Sequence, residues 1–183
     1  MLGIDDSPFT FESRRALIVG VVSRLPMYIE GIMRTECDVD GTDANDAIAS
    51  MVLRSRYREQ LRVIMIDGVA VGGFNVVDID RLHRATGIPV ATVTRGLPDY
   101  DSMEKALRAH FPDWEARMEV IRRHPIYRLG GRRYIYAAAT GISIDDLEMV
   151  IEESTVIGSL PEPLRIAHLI SSAMVRGESH GRA

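Results

Sequence analysis

Residues 61–67, Leu-Arg-Val-Ile-Met-Ile-Asp, constrain the fold more than any other stretch of this chain. From Val63 to Ile66 the run is apolar without alternation. A strand reads this way when both of its faces are covered, so it belongs in the middle of a sheet with further layers on both sides. It stops on Asp67 and Gly68, where an α/β sheet can hold a carboxylate rigidly at the rim of its core. A second acidic pair, Asp5-Asp6, closes the short apolar run at the N-terminus. Two rim carboxylates brought together by a sheet would make a site for a hard divalent cation.

The bulk properties narrow the class. The chain has 183 residues, 46% hydrophobic and 26% charged, which fits one globular domain over 1–183 with a real core. No apolar run approaches the roughly 20 residues that span a membrane. The N-terminus carries no basic segment followed by an apolar one, the mark of a secretory signal. Cys37 is the only cysteine, which excludes an internal disulfide and fits a reducing cytoplasm. A net charge of −4 argues against a molecule that is basic all over. Lys105 is the only lysine, and every other Lys/Arg cation is arginine. The guanidinium fork suits phosphate, although a codon bias toward arginine produces the same inventory.

Along the chain, three β-rich segments in the first 40 residues predict an antiparallel meander. Asp43 is placed to cap a helix through 46–60, with Ile48, Met51 and Val52 at helical spacing. The strand at 61–67 follows, then a Gly72-Gly73 turn and a helix closed by Gly87, then a buried strand at 88–95. Two helices come next, with Pro112 in the first turn of the second. A hairpin turning at Gly130-Gly131 and two closing helices complete the chain. Strands first, then helix-strand-helix-strand, then helices is the order of an α/β ribonuclease H-like mixed sheet with helices on both faces.

Four blocks, Gly-Ile-Asp-Asp-Ser-Pro-Phe, 67–82, 86–96 and Leu-Pro-Glu-Pro-Leu-Arg-Ile-Ala-His-Leu-Ile, occur in an order that resembles an uncharacterised, mainly archaeal endonuclease V-like family. The likeness covers essentially the whole chain. It implies a Mg²⁺- or Mn²⁺-dependent nuclease acting on DNA or RNA. Gly3-Ile4-Asp5 and Ile66-Asp67-Gly68 match the strand ends that carry the metal ligands, so the resemblance makes Asp5 and Asp67 those ligands. Asp46 falls at the spacing of the catalytic glutamate, and Arg95 takes the place of the active-site lysine. The histidine positions that endonuclease V uses correspond here to Gly73 and Thr140, and its base-probing wedge has no clear counterpart. Inosine specificity is therefore not expected to carry over.

Each site also has a plainer reading. Asp5 and Asp67 are either cation ligands or strand-end aspartates capping turns. Asp46, in a first helical turn, gains from the helix dipole whatever else it does. Gly72 and Gly73 would let a phosphate approach the backbone, with Asn75 beside it as a substrate contact, or they simply make a tight turn with Asn75 as a cap. Arg122, Arg123, Arg128, Arg132 and Arg133 with Tyr127 and Tyr134 are either a nucleic-acid track or a solvated helix end and loop. His168, inside an apolar helix, reads as a core histidine, and His180 lies in a tail expected to be mobile. The leading function is a metal-dependent phosphodiesterase on nucleic acid. The alternative is a catalytically silent binding or interaction module on the same fold.

Overall fold

The computed structural model describes residues 1–10, 12–25, 28–130 and 134–179. The chain opens with β1 (Leu2–Asp6), β2 (Arg15–Arg24) and β3 (Tyr28–Asp38), an antiparallel meander as expected. Helix α1 (Ala44–Leu53) leads to β4 (Ile64–Asp67) and a small hairpin of β5 (Ala70–Val71) and β6 (Asn75–Val76). Helix α2 (Ile79–Thr86), strand β7 (Val90–Thr94) and helices α3 (Tyr100–His110) and α4 (Trp114–Arg122) follow. Strands β8 (Tyr127–Leu129) and β9 (Ile135–Thr140) precede α5 (Ile144–Ser154) and α6 (Glu162–Arg176).

Seven strands form one mixed sheet in the order β3-β2-β1-β4-β7-β9-β8. Strands β1, β4 and β7 run parallel at its centre, and the remaining pairings are antiparallel. This is the expected ribonuclease H-like arrangement. Its faces are sorted by the strand period of two. Leu2, Ile4, Ile64 and Ile66 pack with Ile48 and Val52 of α1 and Leu82 of α2. Met65, Ala91 and Val93 face the other way, against Leu147 of α5 and Leu164 of α6. Val19 and Val21 extend that second face to Ala167 of α6. Helix α6 lies close on β1: a Cβ at Gly3 would sit 2.5 Å from the Pro163 carbonyl carbon and 2.7 Å from the Leu164 nitrogen. Among the described residues no helix is long and apolar enough to cross a membrane.

Some local expectations shift. Helix α1 stops at Leu53 rather than running to residue 60, because Tyr57 turns back so that its hydroxyl donates to Glu30 O at 2.9 Å. The helix expected directly after Gly72-Gly73 begins only at Ile79, capped by Asp78, which accepts from Arg81 N at 3.0 Å. Gly72 and Gly73 instead hold φ of +56° and +84° in the turn from β5 to β6, a conformation glycine adopts without strain. Helix α4 starts at Trp114 behind Asp113, which leaves Pro112 ahead of the cap. The hairpin near Gly130 is present, paired through Leu129 and Ile135. Gly131, Arg132, Arg133 and His180 lie outside the described residues.

Candidate functional site

The parallel register of β1 and β4 pairs Gly3 with Met65 and Ile4 with Ile66, so the next pair along is Asp5 with Asp67. Adjacent strands lie about 4.8 Å apart. Ile4 and Ile66 point toward α1 and α2; alternation therefore turns Asp5 and Asp67 together toward α6. Asp5 is 6% exposed, and Asp67 is half-buried. Burial pushes Asp5 up to about 7, helped by the neighbouring Asp67 and Asp6 carboxylates and opposed by His168. Burial likewise raises Asp67 above the ordinary carboxylate range, while Arg95 and then His168 oppose the rise. Two carboxylates whose like charges repel are held at a rim by the sheet itself.

A further residue completes the rim on the Asp5 side. His168 is no core histidine: its Nδ1 is hydrogen-bonded to Asp5 Oδ2 at 2.8 Å, and 28% of its side chain is exposed. The next helical turn sends the Ser171 hydroxyl to Asp6 O at 3.0 Å. A usable signal was present in the sequence. His168, Ser171 and Ser172 share the stripe of α6 that carries Leu164 and Ala167, and buried polar atoms require partners. Strand-end aspartates are the natural candidates.

Arg95 follows Thr94 at the end of β7, one strand beyond Asp67. Val93 packs on the α5–α6 face, so Arg95 continues on the same side as Asp67 and its charge acts there. Asp5, Asp67, His168 and Arg95 thus converge. Asp6 points the other way, and its carboxylate accepts from Gly72 N at 2.8 Å.

The structure does not bring Asp46 to this group. Its carboxylate, 70% exposed, pairs with Arg81 of α2 at 2.7 Å, and α1 packs on the opposite face of the sheet from α6. Gly72 and Gly73 are occupied structurally as well. Gly72 O accepts from Asp40 N at 2.7 Å, and a Cβ at Gly73 would meet Asp40 Oδ1 at 2.3 Å. Asn75 is fully buried. Its Oδ1 caps α1 by accepting from Ala44 N at 3.0 Å, and its Nδ2 donates to Asp38 O at 2.9 Å and Asp43 Oδ1 at 2.7 Å. The expected substrate contact is thus a cap between distant segments, with no surface to offer a ligand. Asp43 stands at the N-cap position as expected, but its carboxylate accepts from Asp38 N rather than from the first turn of α1.

Among the described residues no three His, Cys, Asp or Glu side chains close into a ready-made ion cage. A hard cation such as Mg²⁺ does not need one, since it commonly takes one or two protein carboxylates and completes its shell with waters and phosphate oxygens. The oxygen-only pair Asp5 and Asp67 fits that chemistry, and a cation between them would relieve the repulsion that raises Asp5.

Comparison with known proteins bears on family and fold. A family model described as endonuclease dU matches residues 1–175. A UPF0215 protein of Methanothermobacter thermautotrophicus is 46% identical over 185 residues, covering 100% of this chain and 91% of that protein. A crystal structure of a protein of unknown function from Archaeoglobus fulgidus superposes with a TM-score of 0.86 at 40% identity, covering 98% of both chains. Endonuclease V of Ciona intestinalis, in complex with a 24mer DNA containing an inosine followed by a ribo-adenosine, shares the fold with a TM-score of 0.62 at 11% identity. That match covers 96% of this chain and 85% of the other.

Proposed function

The chain belongs to the endonuclease dU family, and from that premise we propose that it is a divalent-metal-dependent phosphodiesterase that cuts nucleic acid at or near deoxyuridine. The observation that carries this reading is the in-register placement of Asp5 beside Asp67 on one face of the sheet rim, with His168 and Arg95 around them. The family description supports both the strand-cutting activity and the base. The inosine-containing DNA bound by the Ciona endonuclease V supports a nucleic-acid ligand for this fold.

Asp5 and Asp67 would hold Mg²⁺ or Mn²⁺, which supplies neutralisation of the phosphate and acidification of a water. The chain's own groups do the rest. Arg95 would bind a phosphate oxygen with its planar fork and hold the strand against the rim. Asp5 fixes the His168 ring through Nδ1, which leaves Nε2 as the nitrogen able to accept or return a proton. Rigid strands and a packed helix carry these side chains, so the arrangement is set before a substrate arrives.

The direct test is strand scission on 5′-labelled DNA and RNA oligonucleotides bearing one deoxyuridine, one inosine or neither, in EDTA, Mg²⁺ or Mn²⁺. Wild type should cut the deoxyuridine strand in either metal and nothing in EDTA, and Asp67→Asn should be inert throughout. Binding of the strands without scission in any metal would replace this reading with that of a silent binding module.

A further inference from the structure

The arginine-rich stretch that follows α4 is sorted by the structure into two groups. Arg122 is tied to Glu104 at 2.8 Å and Arg123 to Asp78 at 2.8 Å, so both brace the helical layer. Arg128 is different: among the described residues its guanidinium lies over an aromatic face, 3.8 Å from the Tyr134 ring centroid, rather than against a carboxylate. Tyr134 meets Tyr136 edge-to-face at 5.8 Å. Tyr136 pairs across β9 with Thr94 on one side and Arg128 on the other, so the three rows share one face. Thr94 directly precedes Arg95. The strip therefore begins at the end of β7 beside the candidate site, two strand spacings from Asp67 in the plane of the sheet and on its other face. Its outer end is open, with Tyr134 39% exposed, while the alternate residues Ile135 and Ala137 are buried.

We propose that Arg128, Tyr134 and Tyr136 form a stacking platform for unpaired bases flanking the cut, and that the protein accordingly takes its substrate as a single or locally opened strand. This inference rests on the nucleic-acid reading given above. Aromatic faces beside an arginine hold bases of any sequence, but only bases freed from a duplex stack can reach them. The platform would hold bases a few nucleotides from the scissile phosphate. The tyrosines point to the sheet face opposite Asp67, so the strand would pass over the end of β7 at Arg95 and Gly96. The occupant is set by charge: a cation stacked on a ring complements a phosphate chain carrying planar bases.

The test uses wild type in EDTA and fluorescence anisotropy with a mixed-sequence 20-mer, single-stranded or as a blunt duplex. The single strand should bind at least about ten-fold tighter than the duplex. Tyr134→Leu should weaken single-strand binding by roughly five- to ten-fold, leave duplex binding within two-fold and leave the melting temperature unchanged, and Tyr134→Trp should restore the affinity. A 2-aminopurine placed in turn at each of several positions flanking the deoxyuridine should be quenched at one or more of them by wild type and at none by Tyr134→Leu. Equal affinity for single strand and duplex, or single-strand binding that survives Tyr134→Leu within two-fold, would overturn the proposal. A protein that binds single strands through Tyr134 yet cuts none would sink the nuclease reading and leave the platform standing.

Discussion

His168 Nδ1 lies 2.8 Å from Asp5 Oδ2, joining the first strand to the last helix across 163 residues of sequence. The contact gives the most buried carboxylate of the rim a partner that fixes its direction. It also opposes the repulsion from Asp67 and Asp6. Oriented partners of this kind usually matter to a cation site nearly as much as the ligands do.

Replacing His168 should therefore weaken the site without unfolding the protein. Its ring is partly exposed, and its helix is held by Leu164 and Ala167. His168→Ala is expected to lower Mn²⁺ affinity by about 10- to 100-fold at pH 7. The loss should shrink at pH 9, where Asp5 is ionised without help. Calorimetric Mn²⁺ titrations of both proteins at the two pH values check this, and a loss equal at both would assign His168 a role other than supporting Asp5.

The metal-free protein should become less stable as pH rises through neutrality. Asp5 sits at about 7 in the fold, raised first by burial and then by Asp67 and Asp6, against roughly 3.9 in an unfolded chain. Between those values the folded state binds more protons than the unfolded chain, so stability falls with increasing pH. The contribution is fully present below about pH 4 and is lost as pH climbs through about 7. Thermal melts in EDTA at pH 5.5 and 8 should show this fall in wild type. Asp5→Asn should remove about 2 kcal/mol of the difference, and parallel slopes for the two proteins would contradict the assignment.

Asp46 and Asp67 should separate cleanly. The Asp46–Arg81 pair is solvent-exposed, and such pairs contribute under about 1 kcal/mol. Asp46→Ala is expected to keep both stability and strand scission within about three-fold of wild type, whereas Asp67→Asn should lose at least about 10³-fold in turnover. A comparable loss in Asp46→Ala, measured as single-turnover rates, would mean that α1 contributes to the site.

Asn75 should prove a stability residue. Alanine there would leave the buried Ala44 N–H without a partner and take one donor each from Asp38 O and the Asp43 carboxylate, which keep Gly41 N and Asp38 N. The expected cost is about 3 kcal/mol, read from urea melts. The folded fraction should retain its KM for an oligonucleotide, because the amide has no exposed surface. A raised KM with unchanged stability would restore the substrate-contact reading.

Much of this molecule was legible locally. The unbroken apolar run before Asp67 could only be a central strand, and the meander, the strand at 88–95 and the closing helices followed from periodicity and turn residues. Asp5, Asp67 and Arg95 could be singled out because each stands where an apolar strand stops. What escaped were relationships across the chain. Asp46 and Asp43 are equally good first-turn acids by sequence, and Asn75 reads as a cap for the helix that follows it rather than for α1.

The sequence by itself determined the strands of the main sheet, which strand is central and that carboxylates stand at strand ends, since burial patterns and capping act over a few neighbouring residues. Only the tertiary structure decided that Asp5 and Asp67 share a face, that α6 covers that face and brings His168 to it, and that α1 carries Asp46 away on the other. A side chain's face is set by strand register and by which helix packs above it. Both are fixed by burying surface between segments far apart in the chain, and a local pattern does not encode that partner.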